Sequence, residues 1–95
     1  MEAIYALGNP TDGEVYYVGR TAAPSMRWAQ HYSATENYSD SLRHAMNRRI
    51  TALGLIPVMV LLEWTENGKQ RELYWMQAMR RLGYTLANGG KKLLF

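Results

Sequence analysis

Tyr16 and Tyr17 are followed at once by Val18-Gly19-Arg20, and Arg27 and His31 come four residues apart just beyond. Phenols, guanidiniums and an imidazole in so short a stretch suit a phosphodiester. Forked N–H donors can bind its oxygens, and a titratable ring can move a proton. Further along, Trp75, Met76, Met79 and Leu82 recur at helical spacing, and Glu72 continues their apolar stripe one turn upstream. A carboxylate on such a stripe is costly to bury unless something balances it. Either an arginine pairs with it, or it holds a hard divalent cation, which takes carboxylate oxygen plus water. Taken singly, each residue has a plainer reading. Tyr5 and Tyr17 pack in a hairpin, Arg27 is a surface cation, His31 ends a helix, and Asn88 before Gly89-Gly90 makes a turn.

These side chains need elements to position them. Residues 2–8 read as a strand, GNPTDG as a turn, and residues 14–19, β-branched and aromatic, as the returning strand. A hairpin symmetric about Thr11 sets Tyr5 opposite Tyr17. Ala3, Tyr5, Leu7, Val15 and Tyr17 then share one face, and Ile4, Ala6, Tyr16 and Val18 the other. Pro24 suits the first turn of a helix over 24–32, with Arg27 and His31 on one side. A polar loop follows over 33–39. Asp40 or Ser41 caps a second helix that runs to Leu53 and stops at Gly54. Residues 57–63, PVMVLLE, read as a central strand buried on both faces. Thr65 caps a third helix that ends at Gly83, and an irregular tail follows. The order β-β-α-α-β-α predicts a small α+β fold, with a three-stranded, mostly antiparallel sheet flanked by helices.

The whole chain, residues 1–95, fits one domain with a modest core. Hydrophobic content of 47% and charged content of 20% are those of a soluble fold. The chain has no cysteine, which excludes disulfides, thiolate zinc sites and cysteine nucleophiles. It has no apolar run of membrane-spanning length and no signal-peptide pattern at its start, so a cytoplasmic location is expected. The net charge of +3 is unevenly spread. Residues 1–19 carry three acids and no base, residues 20–49 carry five arginines against two acids, and only bases follow Glu72. That asymmetry suits a polyanion on one side, although a solvated surface would look the same.

With these residues in order, the chain resembles the GIY-YIG nuclease family. The paired motifs stand as Ala3-Ile4-Tyr5 and Tyr17-Val18-Gly19, followed by Arg20, Arg27 and His31. The segment RELYWMQAMRRLGYTLANGG is similar to the family's glutamate helix and closing asparagine, giving Glu72 and Asn88. Ala3 stands where the family has its first glycine, a change of packing rather than of chemistry. The resemblance implies a stand-alone catalytic domain that hydrolyses DNA phosphodiesters with a water nucleophile. It implies one divalent ion, Mg2+ or Mn2+, held by Glu72. Arg27 would meet the phosphate, Tyr5 or His31 would position or deprotonate the water, Tyr17 would hydrogen-bond water or phosphate, and Asn88 would orient the phosphate or brace a neighbouring side chain.

Arg20, Arg43, Arg48, Arg49, Lys91 and Lys92 are then the candidate substrate contacts, carrying no sequence information. Duplex or branched DNA is the expected substrate, and RNA stays open because nothing here obviously reads a 2′-hydroxyl. No added reading module is evident in the sequence. Specificity would come from DNA shape, a second copy of the chain or a partner protein. The rival reading is a nucleic-acid-binding module of the same fold with little or no cleavage.

Overall fold

The computed structural model describes residues 1–32 and 42–88; for residues 30–32, 42 and 44 it describes the backbone alone. The strands are β1 (Glu2–Gly8), β2 (Val15–Thr21) and β3 (Val58–Thr65), and the helices are α1 (Pro24–Tyr32), α2 (Leu42–Ala52) and α3 (Gly68–Arg81). The order is the expected β-β-α-α-β-α, and the sheet is antiparallel throughout, with strand order β2-β1-β3.

That order corrects the reading of residues 57–63. The central strand is β1, with Ala3 to Leu7 all buried, and β3 is an edge. On β3, Val58, Val60, Leu61 and Trp64 are 47–51% exposed. A continuous apolar run looks the same whether helices cover both its faces or one lies partly open. Here α3 packs mainly on β2 and β1, and meets β3 chiefly through Glu63.

The hairpin register also differs from the symmetric one. Tyr5 lies opposite Gly19 and Leu7 opposite Tyr17, but Gly8 lies opposite Val15. Tyr16 is therefore one residue too many, a β-bulge that shifts the alternation of the hairpin tip. Val15 joins Ile4 and Val18 under α3, while Tyr16 joins Tyr5 and Leu7 under α2, the reverse of the expected faces for both. The tip is fixed locally: Asn9 Oδ1 accepts from the Thr11 amide at 2.9 Å and Asp12 Oδ1 from the Glu14 amide at 2.9 Å. Gly13 supplies the left-handed residue, φ 74°.

Two small cores result, one on each face of the sheet. Ile4, Val18, Met79 and Leu86 form one, with Trp75 and Met76 against it. Tyr5, Leu7, Tyr16 and Ile50 form the other, with Met46 and Met59. Leu82, expected on the α3 stripe, is exposed because the helix has ended there. The Gly83 amide donates to the Arg80 carbonyl at 3.0 Å and the Tyr84 amide to that of Met79 at 3.2 Å, with Gly83 left-handed at φ 100°. Thr65 does not cap α3. It ends β3, and its hydroxyl accepts from the Asn67 amide at 2.9 Å. The expected caps of α2, Asp40 and Ser41, lie outside the described residues.

Candidate active site

Tyr5 stands at the middle of the central strand with no exposed surface. Its cross-strand neighbour is Gly19, and the reason that position is glycine is steric. A Cβ there would lie 2.5 Å from the Tyr5 hydroxyl and 2.8 Å from the Tyr17 ring. Tyr17, two residues before Gly19 on the same face, sets its ring 6.2 Å from that of Tyr5, tilted by 46°. From α1, Arg27 hydrogen-bonds the side chains of both Tyr5 and Tyr17. From α2, the Arg43 guanidinium lies 5.6 Å above the Tyr17 ring. Two phenols and two guanidiniums thus meet on one face of the sheet.

Burial pushes the Tyr5 phenol up to about 12; the Arg27 hydrogen bond opposes this and the neighbouring Tyr17 adds to it. Loss of water on burial outweighs the pull of the Arg27 and Arg43 charges. At neutral pH this phenol keeps its proton.

Arg20 follows Gly19 and so points to the other face, toward α3. Its Nε lies 3.5 Å from Glu72 Oε1, and its NH1 lies 3.2 Å from Glu2 Oε1. The arginine partner that the sequence left open for Glu72 is therefore Arg20. Burial still lifts the Glu72 carboxyl above the usual carboxylate range; Arg20 opposes the rise and the charge of Glu2 adds to it. Arg27 of the first group and Arg20 and Glu2 of the second come to one cavity at the end of β2. A cavity of about 470 Å³ opens there, lined by Glu2, Arg20, Thr21, Ala23, Met26 and Arg27.

Asn88 sits apart from this cavity, on the outer edge of β2. Its amide donates to the Val18 carbonyl at 2.6 Å and accepts from the Val18 amide at 3.0 Å. One residue earlier, the Ala87 amide donates to the Tyr16 carbonyl at 2.6 Å. The side chain imitates a paired peptide and holds β2 straight between Tyr17 and Gly19. What Asn88 holds is the Val18 backbone rather than a neighbouring side chain.

Arg48 and Arg49 are exposed on α2, turned away from the face that carries Arg43, Asn47 and Ile50 toward the sheet. The backbone of α1 carries His31 one turn after Arg27. The His31 side chain, Lys91 and Lys92 lie outside the described residues.

Three supporting contacts escape sequence reasoning. Tyr16 donates to Asn47 Oδ1 at 2.6 Å, both buried, so the bulge residue anchors the helix that carries Arg43. Glu63 on β3 accepts from Arg71 at 2.9 Å and Trp75 at 2.7 Å, fixing α3 against the sheet. Those hydrogen bonds, Arg71 first and then Trp75, hold the Glu63 carboxyl below its usual range. Glu2, noted only as one of three early acids, reaches the site through Arg20. None has a sequence signal beyond its own residue type, because each partner is distant in the chain.

The chemistry of this end of the sheet is that of an anion site with one incompletely balanced carboxylate. Among the described residues no three His, Cys, Asp or Glu side chains converge, so no all-protein metal cage is formed. A single carboxylate completed by water and substrate oxygen is the mode magnesium commonly accepts, and Glu72 fits it. Its cationic contact among the described residues, Arg20 at 3.5 Å, is looser than a close charge-assisted pair. No helix among the described residues is long and apolar enough to cross a membrane. The family model described as the GIY-YIG catalytic domain matches residues 1–85. No curated protein and no solved structure matches the chain.

Proposed function

The chain belongs to the GIY-YIG catalytic-domain family, a nuclease domain, and on that premise we propose that it is a metal-dependent endonuclease acting on DNA. The observation that carries this reading is that Arg27, held by Tyr5 and Tyr17, and Arg20, paired with Glu72, line one polar cavity from the two faces of the sheet. Glu72 would hold a single Mg2+ or Mn2+ ion. Such an ion supplies positive charge to the phosphoryl and leaving oxygens.

The protein's own groups do the rest. Arg27, fixed by two phenols, presents its remaining N–H donors to the phosphate, where charge grows as the ester is cleaved. Tyr5 keeps its proton and has no exposed surface, so its hydroxyl positions the Arg27 guanidinium rather than removing the water's proton. His31, one turn beyond Arg27 on α1, is the candidate to take that proton, since an imidazole titrates near neutral pH. Tyr17, held between Arg27 and Arg43, hydrogen-bonds the water or a phosphate oxygen. Arg43 adds charge beside the substrate path, and Arg48, Arg49, Lys91 and Lys92 bind flanking phosphates without reading bases.

The test is nicking of supercoiled plasmid with Mg2+, with Mn2+ and with EDTA, beside Glu72→Gln. Metal-dependent nicking by wild type and none by the variant supports the assignment. Wild-type cutting by Glu72→Gln removes Glu72 from the metal. DNA retention without cutting by wild type favours the binding-module reading.

A further inference from the structure

Glu2 takes no part in the reading above, yet it lines the same cavity as Arg20 and Arg27. Its Oε1 lies 3.2 Å from Arg20 NH1, while Arg20 Nε lies 3.5 Å from Glu72 Oε1. One guanidinium therefore serves two carboxylates through different nitrogens. Glu2 is also pressed against the first residue of α3: any side chain at Gly68 would run into its Oε1. The start of a helix favours negative charge, so a carboxylate is well placed there.

Neither contact locks Arg20. Both exceed the 2.7–2.9 Å of a close charge-assisted pair. The side chains are 39% exposed for Arg20, 35% for Glu2 and 22% for Glu72, so water can follow a small movement. A divalent cation that binds Glu72 would compete with Arg20 for the same carboxylate and repel the guanidinium. Without another partner, Arg20 would resist that displacement. With Glu2 already in contact, it has only to close one distance and open the other.

We propose that Glu2 is a positioning residue of the metal site, the carboxylate that takes over Arg20 when a divalent cation takes Glu72. The inference rests on the assignment of the cation to Glu72. The handover has two effects. It lowers the cost of metal entry, and it keeps the Arg20 charge at the cavity rim, facing an incoming phosphate.

The experiment uses the full chain without DNA. Binding of Mn2+ is measured by calorimetry and electron paramagnetic resonance for wild type, Glu2→Gln, Glu2→Asp, Arg20→Gln and Glu72→Gln. The Arg20 Nε–H resonance is followed during Mg2+ titration of 15N-labelled protein. Glu2→Gln should weaken metal binding roughly 2- to 5-fold, the range set by one exposed ion pair. Glu2→Asp, which keeps the charge, should fall between Glu2→Gln and wild type. Arg20→Gln should bind more tightly, and the wild-type Arg20 resonance should move along the binding curve. Unchanged affinity in Glu2→Gln with the fold intact by circular dichroism, or an Arg20 resonance that stays still while metal saturates, overturns the proposal. If Glu72→Gln binds metal like wild type, the underlying assignment fails instead, and the two failures are told apart.

Discussion

Gly19→Ala is the substitution whose effect can be worked most directly from distances. The added methyl would lie 2.5 Å from the Tyr5 hydroxyl oxygen and 2.6 Å from the ring carbon that bears it. Comfortable carbon contacts begin at about 3.5 Å, so phenol and methyl must separate by roughly 1 Å. Tyr5 has no exposed surface and packs with Leu7, Tyr16 and Ile50, so the ring has little room to retreat. Overpacking of this kind costs about 1–3 kcal/mol of stability. Misplacing a positioning group by about 1 Å costs on the order of 100-fold in rate. The assay is single-turnover nicking with Mg2+, normalised to the folded fraction, beside thermal melts. The same substitution is then made on Tyr5→Phe. The ring remains there, so the stability loss should persist; the hydroxyl is absent, so most of the additional rate loss should vanish. Cutting by Gly19→Ala within about threefold of wild type would refute the reasoning. So would an undiminished loss on the Tyr5→Phe background, which would place the effect in the backbone.

Asn88→Ala removes two hydrogen bonds from the Val18 peptide and should cost about 1–3 kcal/mol, read as a fall in Tm, with a drop in nicking rate. A variant that melts and cuts like wild type would show that the edge of β2 needs no brace. Tyr16→Phe leaves Asn47 buried without its 2.6 Å donor and should also cost about 1–3 kcal/mol by urea denaturation. The phenol of Tyr5, pushed up to about 12, should contribute no tyrosinate absorbance below about pH 10, by difference between wild type and Tyr5→Phe. The same raised value has a stability sign. An unfolded tyrosine ionises near 10, so the contribution of Tyr5 is complete below that pH and is lost as pH rises toward 12. The loss is about 2–3 kcal/mol at the top of that window and is absent in Tyr5→Phe.

Much of the architecture is legible in the residues. Alternation, turn chemistry at Asn9 to Gly13, Pro24 and Gly83 give the six elements in order, because those signals are local. What the sequence hides depends on distant partners. PVMVLLE is apolar whichever strand lies beside it, so its place at the sheet edge shows only once it has paired with β1 alone. The bulge at Tyr16 is set by the fit of the hairpin tip against α2, where Asn47 waits for the phenol. In the site, Tyr5, Tyr17 and Arg27 converge as their motif positions suggest. The proton held by Tyr5 follows from burial, which residue types do not display, and the link from Glu2 through Arg20 to Glu72 joins three separate parts of the chain. Asn88 can be seen as a polar residue in a turn, but its hold on Val18 exists only once β2 has an edge.

The central position of β1 also orders events in time. Tyr5 meets Gly19 fourteen residues downstream but Leu61 only fifty-six residues downstream. During synthesis the hairpin can close early, joining Tyr5 to Tyr17, while the other side of β1 waits for Val58–Thr65 to emerge. Non-local pairing of this kind slows folding and leaves an apolar strand edge open in the interval. Glu72 lies beyond that last strand, so the half of the site proposed to hold phosphate can take shape before the half proposed to hold metal. A nascent chain would then be competent to bind nucleic acid before it is competent to cut it.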